Sequence, residues 1–68
     1  MDIRELQYLI AAADAGSLST AAERMFISQQ GLSSAIKRLE AELGYPLLIR
    51  GPGGVRLTER GLEFYEKA

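Results

Sequence analysis

Residues 28–43 read Ser-Gln-Gln-Gly-Leu-Ser-Ser-Ala-Ile-Lys-Arg-Leu-Glu-Ala-Glu-Leu, and this stretch decides the fold. At about 100° per residue, a helix places its large aliphatic side chains within one narrow arc. These side chains are Leu32, Ile36, Leu39 and Leu43. The spacing therefore predicts a helix over residues 29–43, with Ser28 as its N-cap.

The arc beside this apolar stripe carries amides and hydroxyls near the helix start and cations further along. Gln and Ser side chains hydrogen-bond base edges, whereas Lys and Arg neutralise phosphates. We interpret 29–43 as a DNA recognition helix, although an ordinary solvated face, with Lys37 paired to Glu40, remains an alternative. The predicted base contacts are Gln29, Gln30, Ser33 and Ser34, and the predicted phosphate contacts on the helix are Lys37 and Arg38.

The composition indicates one small domain in which any metal site would need carboxylates alone. The chain has 68 residues, 47% of them hydrophobic, with no cysteine and no histidine. Disulfides and thiolate metal sites are therefore excluded, and serines without histidine or cysteine make a poor catalytic set. We expect no enzyme activity and no cofactor in this domain. The start of the chain does not resemble a signal peptide, so a cytoplasmic location is expected.

The charge balance is unusual for a nucleic-acid-binding protein. The net charge is −1 and the isoelectric point is about 5.3. However, residues 24–38 contain cations and no anion, so a basic face can exist on a nearly neutral domain. The acidic balance leaves open a second function class, a protein-interaction adaptor that does not bind DNA.

Two shorter helices are predicted before the central one. Apolar residues repeat at helical spacing from Asp2 to about Ala15, and Gly16 ends that stretch. Ser17 or Ser19 can then cap a helix that contains small residues for close packing. Short helices joined in this way are typical of a helix-turn-helix, although periodicity alone also fits another small helical bundle.

A hairpin and a final helix follow. Gly44 and Pro46 end the central helix, and residues 47–50 and 55–57 predict two strands around a glycine-rich turn at 51–54. Such a hairpin must pack on the helices and would form a wing. Arg50 and Arg56 flank its tip and are predicted to reach the sugar-phosphate backbone, and Thr58 is predicted to cap a helix that begins at Glu59.

Together these residues resemble the N-terminal DNA-binding domain of LysR-type transcriptional regulators. The resemblance covers nearly the whole chain without a gap. It rests on Ala21-Ala22-Glu23-Arg24-Met25, Ser28-Gln29, Leu32-Ser33, Ile36, Leu39-Glu40, Leu43-Gly44, Pro46-Leu47, Arg50, Val55-Arg56-Leu57-Thr58 and Gly61. It implies a mainly α fold with a small two-stranded β wing, a winged helix-turn-helix, over residues 1–58. Residues 59–68 would begin a truncated linker helix for dimerisation.

The resemblance also implies the partners. The family binds interrupted palindromes in double-stranded DNA as homo-oligomers in the bacterial cytoplasm, and a small-molecule effector binds a C-terminal domain that is absent from this sequence. Gln29 and Ser33 would lie in the major groove, with Ser28 and the helix N-terminus near a phosphate. The wing, residues 47–57, would contact the backbone, and Arg50, Arg56 and Thr58 would help to fix its register.

Some residues depart from the family pattern. Gln30 stands where Pro or Ser is frequent, Gly31 where Ala is frequent and Ser34 where Arg or Lys is frequent. The wing tip, residues 51–54, carries no cation. This face is therefore less basic than is usual in the family.

Overall fold

The computed structural model describes residues 2–67 as four helices and one antiparallel hairpin. The elements are α1 (Ile3–Ala15), α2 (Leu18–Met25), α3 (Gln29–Leu43), β1 (Leu48–Gly51), β2 (Gly54–Leu57) and α4 (Glu59–Lys67). The predicted order of elements and the mainly α class with a small wing are confirmed. Within this described part, every helix is too short or too polar to traverse a lipid bilayer.

The ends of the helices follow from side-chain and glycine caps. The Ser17 hydroxyl accepts a hydrogen bond from the amide of Thr20 at 3.3 Å, so Ser17 rather than Ser19 caps α2. Gly16 and Gly44 end α1 and α3 in the left-handed conformation, as predicted. Between α2 and α3, the left-handed position is filled by Phe26.

The core lies where α1, α2 and α3 meet beneath the hairpin. Leu32, Ile36 and Leu39 of α3 are fully buried, as the apolar stripe predicted. Leu43, the last residue of that stripe, is only partly buried and packs against the edge of the core. Ala21 and Ala22 of α2 are buried too, and their small side chains allow the helices to approach closely. The other buried apolar residues of this cluster are Leu9, Ala12, Leu47 and Leu48.

Glu40 of α3 fixes the start of the hairpin. Its Oε2 atom accepts hydrogen bonds from the backbone amides of Leu47 and Leu48, at 2.7 and 3.2 Å. The ladder pairs Leu48 with Leu57 at one end and Gly51 with Gly54 at the other, so β1 begins one residue later than predicted. Both strands also extend one residue further into the predicted turn at 51–54. Because Leu47 and Leu48 are buried, Glu40 satisfies amides that water cannot reach.

The register of the hairpin separates its two arginines. Arg50 pairs with Val55, and Ile49 pairs with Arg56. Since directly opposed residues share a face and successive residues alternate between faces, Arg50 and Arg56 lie on opposite faces of the wing. Arg50 lies on the side of the half-buried Val55, whereas Arg56 lies on the outer side beside Ile49, which is 45% exposed.

Helix α4 is docked on the hairpin and on α1. The Thr58 hydroxyl accepts the Gly61 amide at 2.8 Å and so caps the helix, as predicted. Gly61 is buried against the backbone carbonyl of Leu47, and a Cβ atom there would overlap that oxygen. At the far end of α4, the Tyr65 hydroxyl donates to Asp14 of α1 at 2.8 Å.

Candidate nucleic-acid interface

Helix α3 presents its predicted contact residues together on its outer side. Gln29, Gln30, Ser33, Ser34 and Lys37 line one shallow surface groove. Ser33 is half-buried and the others are exposed, while the opposite side of the same helix is the fully buried stripe. A packed helix therefore holds these amides, hydroxyls and one ammonium group toward solvent in a fixed order.

Most of these side chains have no partner in the part of the chain that the structure describes. Among residues 2–67, no hydrogen bond or ion pair involves the side chains of Gln29, Gln30, Ser34 or Lys37. The Lys37–Glu40 pair that the spacing allowed is not formed among residues 2–67, and Oε2 of Glu40 accepts hydrogen bonds from backbone amides of the hairpin. The groove thus offers free donors and acceptors to a ligand.

The start of α3 adds backbone donors to the same surface. The Ser28 hydroxyl accepts the Gly31 amide at 3.0 Å and thereby caps the helix. The first amides of a helix have no intrahelical acceptor, and the helix dipole makes this end favourable for an anion. A Cβ atom at Gly31 would lie 3.0 Å from the Ser28 hydroxyl oxygen, so the absence of a side chain relieves crowding of the cap.

Arg50 connects the wing to α3. Its Nη1 atom donates a hydrogen bond of 2.7 Å to the hydroxyl oxygen of Ser33. Both residues are predicted interface residues, but helical and strand periodicity do not predict this bond. The hairpin register indicates this bond, because Arg50 pairs with Val55 and so lies on the face of the wing that packs toward the helices.

Arg38 is oriented by the Glu5 carboxylate, a contact that helical periodicity does not predict. Its Nε atom lies 3.2 Å from Oε2 of Glu5, and the Arg38 side chain is still 69% exposed. Glu5 is also the partner of Asp2 in the capping box of α1, where its Oε1 accepts the Asp2 amide at 3.4 Å. The spacing of an acidic N-cap and a Glu three residues later is the sequence signal for this role.

Thr58 differs from the other predicted phosphate contacts. Its hydroxyl donates to the carbonyl of Pro46 at 2.8 Å while accepting from Gly61, and its amide donates to the carbonyl of Leu47 at 2.9 Å. Both donors of Thr58 are therefore used by the fold. A phosphate contact by Thr58 stays a prediction, and it would require one of these bonds to open.

The sequence model for the "Bacterial regulatory helix-turn-helix protein, lysR family" matches residues 3–62. The chain is 48% identical over 68 residues to the HTH-type transcriptional regulator BudR of Raoultella terrigena, covering 100% of this chain and 23% of BudR. It is 46% identical over 68 residues to the HTH-type transcriptional regulator TfdT of Cupriavidus pinatubonensis, covering 100% of this chain and 30% of TfdT. The chain thus spans less than a third of either relative.

Solved structures show the same fold. A crystal structure of a CbnR_DBD–DNA complex superposes with a TM-score of 0.94 at 42% identity, covering 98% of this chain and 77% of that one. A crystal structure of a BenM_DBD/benA site 1 DNA complex gives a TM-score of 0.93 at 40% identity, covering 98% of this chain and 75% of that one. Together with the family match, these likenesses show that the chain belongs to the lysR family of bacterial regulatory helix-turn-helix proteins, as a winged helix-turn-helix domain.

Proposed function

We propose that this chain binds double-stranded DNA sequence-specifically, as the DNA-binding domain of a longer LysR-type transcriptional regulator. The observation that carries the proposal is the outer groove of α3, residues 29–37, which a helix buried on its other side holds toward solvent. Except for Ser33, the polar side chains of this groove have no partner among residues 2–67. In a helix-turn-helix, the N-terminal part of the second helix enters the major groove. The family's name and the DNA complexes of similar domains support the same assignment.

The roles of the side chains follow from their chemistry and position. The base contacts in this proposal are Gln29, Gln30, Ser33 and Ser34. The phosphate contacts are Ser28 with the start of α3, Lys37, Arg38, Arg50, Arg56 and, with a rearrangement, Thr58. Lys37 lies on the groove itself, whereas Arg56 lies on the outer face of the wing. The wing therefore positions the domain on the backbone while α3 reads sequence.

The intact regulator would act as a homo-oligomer in the bacterial cytoplasm. In this proposal residues 59–68 begin a linker helix for dimerisation, and residues 1–58 form the DNA-binding unit. Leu62 of α4 is 49% exposed, which supplies apolar surface that a partner helix would cover. A dimer of such domains would bind an interrupted palindrome, and the effector would bind elsewhere in the longer protein.

Selection of bound duplexes from a random pool tests the proposal. We expect a short preferred sequence, and an affinity for it that falls steeply with salt because phosphate contacts release counterions. Arg56→Ala should weaken binding to all duplexes and reduce the salt slope by about one. The matched control is Glu23→Ala, an exposed side chain of α2 outside the groove. Absence of any duplex binding that falls steeply with salt would contradict the proposal and favour the alternative, a protein-interaction adaptor.

A further inference from the structure

Of the groove residues, only Ser33 has a side chain that is hydrogen-bonded to another residue among residues 2–67. It lies on α3 between the predicted base contacts, and its hydroxyl oxygen accepts a 2.7 Å hydrogen bond from Nη1 of Arg50. Arg50 comes from β1, far along the chain, and its guanidinium is exposed. Two separate elements, the wing and the recognition helix, therefore meet at this hydroxyl.

This hydrogen bond favours the Ser33 hydroxyl as a donor to a ligand over its role as an acceptor. A serine hydroxyl has one proton to donate and two lone pairs that accept. Arg50 occupies one lone pair, and a charged donor polarises the hydroxyl so that its own proton becomes a stronger donor. The nearby positive charge also repels an amino group that would donate to the remaining lone pair.

The hydroxyl proton of Ser33 has no acceptor among the described residues. Among residues 2–67 the Ser33 side chain takes part in the bond from Arg50 and in no other hydrogen bond. A helical serine often donates back to a carbonyl of the preceding turn, but Ser33 does not. Its proton is therefore free for a ligand in the groove.

We propose that Arg50 is a positioning residue that makes Ser33 a hydrogen-bond donor toward the base it faces, so that this position rejects cytosine. In the major groove, guanine offers the acceptors N7 and O6 and thymine offers O4. Adenine offers N7 beside an amino group, and cytosine offers only its amino donor. We therefore expect the affinity to be highest with guanine or thymine at this position, lower with adenine and lowest with cytosine.

This inference rests on the proposed DNA binding but predicts more than that function does. An Arg50 that only neutralised a phosphate would strengthen binding to every sequence equally, because phosphates carry no sequence information. An Arg50 that directs Ser33 changes the preference at one base. The base profile, and not the overall affinity, separates the two roles.

The test is duplex selection followed by affinity measurements on the preferred duplex and its single-base variants. The proteins are the unaltered chain, Ser33→Ala, Arg50→Ala and the double variant, with Arg56→Ala as the control from the opposite face of the same wing. Thermal unfolding checks that each variant is folded. We expect one position at which cytosine weakens binding about fivefold or more in the unaltered chain.

Ser33→Ala and Arg50→Ala should each reduce that discrimination to about twofold or less at the same position. The double variant should show the same discrimination as Ser33→Ala, because both single changes remove the same oriented donor. Arg56→Ala should weaken all duplexes and keep the discrimination. If Arg50→Ala weakens all duplexes by one factor and cytosine is still rejected, the inference is overturned while sequence-specific binding stands. Unchanged discrimination in Ser33→Ala overturns it too. If the unaltered chain prefers no sequence, both the inference and the proposed function fail.

Discussion

Gly54 of β2 lies directly against the backbone carbonyl of Gly16, the residue that ends α1. A Cβ atom at Gly54 would overlap the Gly16 oxygen, and the next residue, Val55, donates its amide to that same oxygen at 3.0 Å. Gly54 also has a φ of 113°, a conformation that side chains rarely adopt. The wing is thus attached to the helical core through a contact of backbone on backbone.

Gly54→Ala should lower the free energy of unfolding by about 2–3 kcal/mol, because it introduces both an overlap and a strained backbone. Urea denaturation followed by circular dichroism measures the change. The matched control is Gly53→Ala, one residue earlier in the turn, where a Cβ atom meets nothing within 4 Å and φ is not positive. We expect the control to leave stability unchanged or raise it slightly. Equal losses in the two variants would contradict the importance of the Gly16 contact.

Removing the Glu40 carboxylate should detach the start of the wing from α3. Glu40→Ala leaves the buried amides of Leu47 and Leu48 without an acceptor, and we expect a loss of about 2–4 kcal/mol in the free energy of unfolding. Glu40→Gln keeps an acceptor oxygen but loses its charge, so the expected loss is about 1 kcal/mol. Chemical denaturation measures both, and Glu23→Ala, an exposed glutamate, should stay within about 0.5 kcal/mol.

The sequence predicts most of the fold because its signals are local. The apolar stripe of α3 and the glycines that end α1 and α3 act within a few residues, and the structure confirms each of them. The choice between Ser17 and Ser19 as the cap of α2 also depends on a contact within one helical turn, the hydrogen bond from the Thr20 amide to Ser17.

The parts that the sequence did not predict are long-range contacts between side chains. Arg50 with Ser33, and Arg38 with Glu5, join residues that are 17 and 33 positions apart. Periodicity assigns each residue to a face but does not say which faces meet. Helical spacing alone allows Lys37 to pair with Glu40, yet the Glu40 carboxylate accepts hydrogen bonds from backbone amides of the hairpin.

Phe26 sits in a conformation that is unfavourable for its side chain. Its φ is 59°, and the residue is 93% exposed, so it gains almost no burial in return. A left-handed backbone costs a residue with a Cβ about 1 kcal/mol or more relative to glycine. Phe26→Gly should therefore raise the melting temperature by several degrees. Phe64→Gly, in the half-buried part of α4, should lower it, and scanning calorimetry measures both.

The bond between Tyr65 and Asp14 should make stability depend on alkaline pH. The hydrogen bond to the Asp14 carboxylate, followed by the charge of that carboxylate, raises the pKa of Tyr65 above its ordinary value of 10.0. The native state therefore holds the phenol proton more tightly than the unfolded state does. The stabilisation is fully present below pH 10 and is lost as the pH rises through the raised pKa.

Tyr65→Phe tests this pH dependence. The stability of the variant should be lower than that of the unaltered chain below pH 10.0 and should converge with it at higher pH. The difference between the ultraviolet titrations of the unaltered chain and the variant isolates the Tyr65 phenol, whose pKa should lie above 10.0. A stability difference that is the same at every pH would show that packing of the ring, and not its hydroxyl, joins α4 to α1.

Gln29 stands at the first position of α3 with an exposed amide that has no protein partner among residues 2–67. A glutamine amide can donate and accept at once, which matches the N6 and N7 atoms of adenine in the major groove. Gln29→Ala should therefore weaken the preferred duplex by about 1–3 kcal/mol and relax the preference at one base pair. Gln7→Ala, an exposed glutamine on α1, is the control and should leave binding unchanged. Fluorescence anisotropy with single-base variants measures the profile. A loss by one common factor on all duplexes would place Gln29 on the backbone, and the reading of that base pair would then belong to other residues of the groove.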